Sequence, residues 1–250
     1  MERSVVLLPR PVWLMWLVLM AQASACAAET LSAIGGSLSW TSDYVLRGIS
    51  QSNNEPTWQT DGHIEPIRGW RVGVWAAGVE LLPPKHFVEL DAYLSKPWIL
   101  GRDLALTTTL THYAYVNDPR LVSYTYNELN AMLNWRDTWS LGVSWSPDST
   151  LIAPPYDLRR NQRTLTWEGS IHGALPGGFE WQGGMGYFDP LDLHEGDYWF
   201  GSARLARRIG PIGAELGWFW TQDRTHRTYT LGKSGGPWVL TLTYGFEARN

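Results

Sequence analysis

The chain has a single cysteine, Cys26, so no intrachain disulfide can form. Beyond residue 28 it has no uncharged apolar stretch near the roughly 18 residues that a membrane-spanning helix requires, and its mean hydropathy is −0.22. Helical spans are thereby excluded. Excess charge is missing too: a net charge of −4 offers no basic footprint, and nucleic acid is not an expected partner. No helical period, low-complexity tract or dividing linker is present. These absences point to one all-β domain.

The N-terminus is the exception to the weak hydropathy. Arg3 and Arg10 flank the apolar run Val12 to Met20, which leads into the small residues Ala21 to Ala28. This is the three-part pattern of a secretory signal peptide, here assigned to residues 1–28, with cleavage after Ala25 or Ala28. Cleavage after Ala28 removes Cys26. The alternative is a lipidated Cys26 behind Ala23-Ser24-Ala25, where a large aliphatic residue would be expected in place of Ala23.

What the chain has in plenty is aromatic residues, with 16 tryptophans and 11 tyrosines. Their use is shown by the run Trp238 to Phe246, where Trp238, Leu240, Leu242, Tyr244 and Phe246 alternate with Val239, Thr241, Thr243 and Gly245. A period of two sends the large apolar set to one face of a strand and the small or polar set to the other. Lipid outside and a polar lumen inside would produce that pattern. An ordinary sandwich strand would as well.

Eleven further segments have strand character, giving about twelve: 37–49, 57–67, 70–81, 86–95, 103–114, 126–135, 139–147, 163–174, 179–188, 198–207, 212–221 and 238–246. Their connections decide between the two architectures. Arg68-Gly69, Arg136-Asp137-Thr138, Leu175 to Gly178 and Arg208 to Pro211 are tight turns, whereas the intervening links are longer and polar, the longest near 148–162 and 222–237. Short and long loops alternate as in an outer-membrane barrel. Two links fit poorly: Lys96-Pro97-Trp98-Ile99 is long for the tight-turn side, and Leu82 to Lys85 is short for the other. The expected fold is a transmembrane antiparallel up-and-down β-barrel filling residues 29–250.

With faces set from the last strand, the lipid side reads Leu38, Trp40, Tyr44 and Leu46 in the first strand, Leu129 to Trp135 and Trp139 to Trp145 on alternate positions in the middle, and Ile212 to Trp220 late in the chain. Aromatic girdles follow, Trp70, Trp135, Trp139 and Trp238 beside the tight turns and Trp58, Trp145, Trp199 and Trp220 near the long loops. The lumen receives Asp43, Arg47, Asp61, His63, Glu65, Glu89, Asp91, Glu128, Glu168, His172, Glu180, Arg204 and Glu215. Of these, Asp43, Arg47, Glu89, Asp91, Glu128, Glu168 and Arg204 are the candidate pore-lining set, an acidic constriction that would favour cations. Internal ion pairs filling a narrow barrel are the competing use of the same residues; a narrow pore is favoured over a plug.

One segment resembles a known family. Ser42-Asp43-Tyr44-Val45-Leu46-Arg47-Gly48-Ile49-Ser50-Gln51-Ser52 resembles the N-terminal signature of the TorF family of porins, also called the Gcw_chp family of bacterial outer-membrane proteins. Val72-Gly73-Val74-Trp75, Glu89 to Tyr93, Tyr126 to Leu129, Leu175 to Phe179 and Gly186 to Asp189 are weaker echoes in the same order. The resemblance implies an outer-membrane barrel and transfers no substrate or catalytic residue. The chain departs by ending in Glu247-Ala248-Arg249-Asn250 instead of at the aromatic strand terminus that recruits barrel-assembly machinery, a role expected of Trp238 to Phe246.

Enzymatic readings are weaker. His112 near serine-bearing strands is the only loose candidate for a hydrolase base, and the i, i+2 pair Glu89 and Asp91 lacks anything that marks a proton donor. Asp189, Asp192, His194, Glu195 and Asp197 cluster as calcium ligands do, without a recognised loop spacing. No catalytic residue, metal or cofactor is therefore assigned. The expected function is an outer-membrane channel passing small solutes or ions, exported across the inner membrane to its site; the alternatives are a closed barrel acting as a binding or adhesion scaffold through its external loops, and a soluble periplasmic aromatic-rich binding protein.

Overall fold

The computed structural model describes residues 33–249 except 68, 83–84, 117–124, 154–156, 194–195 and 223–237. The proposed signal peptide and Cys26 lie outside the described residues, as does most of the 222–237 loop. Fourteen strands follow in chain order: β1 (Ala33–Thr41), β2 (Val45–Leu46), β3 (Ile49–Ser50), β4 (Thr57–Ile67), β5 (Trp70–Leu82), β6 (Lys85–Ile99), β7 (Leu104–Val116), β8 (Tyr126–Trp135), β9 (Trp139–Ala153), β10 (Asp157–Leu175), β11 (Phe179–Asp189), β12 (Tyr198–Ile209), β13 (Ile212–Thr221) and β14 (Trp238–Arg249). Twelve of them form a closed antiparallel barrel, each beside its chain neighbour, with β1 pairing both β4 and β14. The other two, β2 and β3, pair only with each other.

Closure removes every strand edge, so each wall strand needs only an apolar outer face and a polar or packed inner one. Leu38, Leu90, Leu94, Leu129, Leu141, Leu216, Leu240 and Leu242 are all exposed on the outside. Gln59, Ser95, Thr107, Thr109, Asn130, Ser144, Ser146 and Thr166 are buried inside. This is the inverse of a water-soluble protein. On the inner wall, large rings lie over glycines: a Cβ at Gly73 would meet the Tyr93 ring at 2.3 Å, and one at Gly186 the Phe200 ring at 2.2 Å. The missing side chains let the wall curve tightly beneath those rings.

The first predicted strand, 37–49, is the main correction. The wall strand β1 stops at Thr41, and Tyr44 and Leu46 turn inward; Tyr44 is buried instead of facing lipid. Alternation misled because it runs on through a segment that leaves the sheet. A second correction removes one misfit: Lys96 to Ile99 belong to β6, leaving only Leu100 to Asp103 as the link. Pro97 is tolerated because β5 pairing begins at Ser95, so its missing N–H lies beyond the shared ladder with that neighbour. The supposed long loop at 148–162 is mostly strand, since β9 and β10 extend to Ala153 and from Asp157, with register shifts near Gln162. Glu247 to Arg249 continue β14 and pair with Ala33 to Gly35 of β1.

Strand directions place all links at one barrel end within 68–69, 100–103, 136–138, 176–178 and 210–211. This is the short-loop end; the ends of β1, β5, β7, β9, β11 and β13 and the starts of β4, β6, β8, β10, β12 and β14 lie at the other, the long-loop end.

A candidate functional site in the barrel lumen

The segment 42–56 folds into the barrel from the long-loop end. Its hairpin β2–β3 is closed by Arg47 and Gly48, both left-handed at φ 49° and 76°, with Leu46 opposite Ile49. Positive φ at both central positions is the type I′ pattern that two-residue hairpins require. Glycine is needed at the second position for another reason as well. A Cβ on Gly48 would fall 2.2 Å from Thr221 Cγ2 and 2.9 Å from the Trp220 carbonyl, so the tip abuts the end of β13, two strands from β1.

Polar contacts fix the base of this hairpin. Ser50 and Ser52 hydroxyls both donate to Asp43 Oδ1, at 2.5 and 3.0 Å, and the Tyr44 amide donates to Ser52 Oγ at 2.9 Å. The Gln51 amide reaches the Tyr44 carbonyl at 2.6 Å, and the Glu80 amide on β5 reaches the Gln51 carbonyl at 2.8 Å. Apolar contacts then spread the hairpin across the lumen. Tyr44 packs with Trp75, Ala77, Val79, Phe87 and Tyr115 on β5 to β7; Val45 packs with Phe219 and Val239; Ile49 packs against Phe188, Tyr198 and Phe200. Most of the Ser42 to Ser52 signature thus builds or seats the hairpin, while Ser42 bonds Leu240 on β14.

Of the candidate pore-lining residues, Glu89, Asp91, Glu128, Glu168 and Arg204 project inward from the wall, and Asp43 and Arg47 enter with the hairpin. Arg47 Nη2 donates to Glu128 Oε2 at 2.8 Å, both side chains being at least nine-tenths buried. Glu89 is wholly buried, and the Tyr44 hydroxyl lies 3.4 Å from its Oε1, with Tyr115 also hydrogen-bonded to it. Neither Glu89 nor Asp91 has an ion-pair partner among the described residues, and Glu89 Oε2 and Asp91 Oδ1 accept no hydrogen bond. Two further inward pairs are Asp61 with His63 at 2.7 Å and Glu65 with Arg71 at 2.7 Å. Beneath the hairpin is a cavity of about 80 Å³, lined by Arg47, Gly48, Glu168, Ser170, Gln182, Phe200, Ser202 and Arg204 among others. The interior is therefore lined by polar and ionisable side chains and crossed by a hairpin, with acid and base interleaved, where the sequence suggested an acidic constriction in a narrow pore.

The girdle tryptophans face outward, and two of them, Trp238 and Trp145, are not where the sequence placed them. Trp70, Trp135 and Trp139 lie at the short-loop end and Trp58, Trp199 and Trp220 at the long-loop end. Trp238 begins β14 opposite Trp218 and so sits at the long-loop end, not beside a tight turn. Strand parity demanded this, because β14 follows the 222–237 link. Trp145 lies midway along β9, since that strand runs on to Ala153. Trp98, read as part of a link, joins the short-loop rim.

His112 projects from the outer face and shares Nδ1 with Asn127 Oδ1 at 2.9 Å, so it does not address the lumen serines. In the 190–197 loop, Asp192 is held by the Arg163 guanidinium and amide at 2.6 to 3.2 Å, and Asp197 accepts from Tyr187 at 2.9 Å. His194 and Glu195 lie outside the described residues. No group of three His, Cys, Asp or Glu among the described residues could hold a metal ion.

A family model described as a bacterial protein of unknown function, Gcw_chp, matches residues 22–163. The chain belongs to the Gcw_chp family. That match contains the whole lumen hairpin and the strands carrying Glu89, Asp91 and Glu128. Comparison with curated proteins finds no match. Among solved structures, a KdgM porin is similar at a TM-score of 0.50 and 8% identity, covering 86% of this chain and 99% of that one. A NanC porin aligns at a TM-score of 0.47 and 12% identity over 88% and 99%. The outer membrane protein OprD from Pseudomonas aeruginosa aligns at 0.40 and 10% identity over 89% and 66%. The first of these likenesses supports the porin-type barrel as the fold of this Gcw_chp chain.

Proposed function

We propose that this Gcw_chp protein is an outer-membrane channel for small hydrophilic solutes or ions, a porin of the TorF type, with the 42–56 hairpin as its constriction. The observation that carries the proposal is the barrel's inversion: a continuous apolar belt outside a closed wall whose interior is lined by Ser, Thr, Asn, Gln and ionisable side chains. Such a belt is unfavourable in water and matches the band that lipid requires. A polar interior in a twelve-stranded barrel has more room than the roughly eight strands that side chains alone fill.

The hairpin itself favours a second reading, a closed barrel presenting its long loops as a binding scaffold. Planar-bilayer recording on refolded protein distinguishes the two. A channel gives discrete conductance steps that grow when residues 43–52 are replaced by a short Gly-Ser link, whereas a scaffold stays silent unless the hairpin is removed. Outer-membrane fractionation and a band whose mobility shifts on boiling test the location, because closed hydrogen-bonded barrels resist detergent until heated.

A further inference from the structure

Around the short-loop rim, cations are stacked on outward aromatic rings. Lys96 Nζ lies 4.5 Å from the Trp70 ring centre and 3.9 Å from that of Trp98, held between the two indoles. The Trp98 indole is itself fixed, donating from Nε1 to Thr108 Oγ1 at 3.0 Å. Arg136 lies 4.7 Å over Trp135 in the β8–β9 turn, and Arg207 lies 5.1 Å over Phe179 across β11 and β12. These three clamps sit about three strands apart on the barrel. Among the described residues, no outward cation is stacked on a ring at the long-loop rim, where Arg163 is committed to Asp192.

We infer that this rim is a binding surface for anionic phospholipid headgroups, an inference that rests on the proposed insertion of the barrel in a membrane. An aromatic ring at headgroup depth holds an ammonium or guanidinium at the interface, instead of letting it extend into bulk water. The neighbouring acids are few: Asp103 approaches Arg136 only at 3.8 Å with both side chains exposed, a pairing that salt screens, and Asp137 lies in the same turn. Arg102 and Arg208 add further positive charge to the rim. A headgroup carrying a phosphate with no ammonium of its own complements this set. Phosphatidylcholine does not, because its quaternary ammonium meets the clamp cations and competes for the same rings. Each basic residue near an anionic surface strengthens association about fivefold, so three independent clamps give a selectivity large enough to measure.

The test uses refolded full-length barrel in phosphatidylcholine vesicles, with spin-labelled phosphatidylglycerol or phosphatidylcholine reporting the lipid immobilised on the protein. The expected result is a several-fold preference for phosphatidylglycerol at low salt. It should collapse toward equality in the triple variant Lys96→Gln, Arg136→Gln and Arg207→Gln, and survive in Lys96→Arg, Arg136→Lys and Arg207→Lys. Equal immobilisation of both lipids by the wild type, or a preference indifferent to the triple variant, overturns the inference while leaving the barrel intact. Failure of any form to enter vesicles as a heat-modifiable band overturns the membrane reading and this inference with it.

Discussion

Arg47, at the tip of a hairpin inside the barrel, donates to Glu128 on the wall strand β8 at 2.8 Å, with neither side chain more than a tenth exposed. The pair joins a loop that leaves β1 to a strand on the far side of the lumen. Removing one partner of such a pair leaves an uncompensated buried charge, at a cost of about 3–5 kcal/mol. Arg47→Gln or Glu128→Gln should therefore loosen the hairpin and raise the frequency or size of openings in bilayer recordings. The double variant should recover part of the wild-type behaviour. Single variants that open no more than wild type would show that the hairpin is held by its packing alone.

Gly48 provides a second handle on the same hairpin. Gly48→Val adds a β-branched side chain at φ 76° and drives it into Thr221, so the tip cannot remain where it is. A raised conductance with an unchanged heat-modifiable shift is expected, because the residue lies outside the barrel ladder. Loss of the folded band instead would mean that the hairpin is needed for assembly.

The wall was largely legible in sequence because its code has a period of two and closure makes every strand obey it. The inward positions of Glu89, Asp91, Glu128 and Glu168, and the outward ones of Leu129, Leu141 and Leu242, all follow from that period. The hairpin was not read, although Arg47-Gly48 between Val45-Leu46 and Ile49-Ser50 is a two-residue turn between short apolar pairs. Periodicity reports which face a residue takes, and it is blind to a strand that stops and re-enters the lumen. The period puts Arg47 and Tyr44 on opposite faces of a wall strand that in fact ends at Thr41; both enter the lumen with the hairpin instead. The pairing of Arg47 with Glu128 depends on three-dimensional closure and had no local signal.

The register of the last strand can be tested by two adjacent substitutions. Leu242→Arg points a charge into the outer belt, at about 2–4 kcal/mol near the midplane, and should sharply reduce the yield of folded band. Thr241→Arg points inward, opposite Glu215 on β13, and should fold well. Similar damage from both would contradict the observed facing.

Acid should act on the long-loop rim at an unusually low pH. Hydrogen bonds from the Arg163 side chain and amide hold the Asp192 carboxyl below its ordinary value. A group whose folded pKa is depressed contributes stability above its unfolded pKa, near 3.9, and loses it as pH falls through the lower folded value. The tie between β10 and the 190–197 loop should thus persist through pH 4 and release only below it. Carboxyl carbon shifts of Asp192 followed by NMR in detergent would check this, and a midpoint at or above the ordinary aspartate value would refute it.

Ion selectivity is the most direct test of what the buried charges do. Arg47 pairs with Glu128, His63 and Arg71 face Asp61 and Glu65, and among the described residues Glu89 has only tyrosine hydroxyls and neither it nor Asp91 has a cation. If ions pass the hairpin, they pass this pair, and at low salt the field of the two carboxylates reaches across the lumen within a Debye length of roughly 10–30 Å. Reversal potentials across a potassium chloride gradient should show cation preference in the wild type and a clear loss of it in Glu89→Gln with Asp91→Asn. Glu128→Gln should shift selectivity toward anions by a different route, since it uncovers Arg47 as well as removing an acid. The two variants therefore separate two mechanisms. Wild-type anion preference would mean that Arg47 and Arg204 dominate the passage, and an unchanged potential in the double carboxylate variant would mean that the conducting path avoids β6.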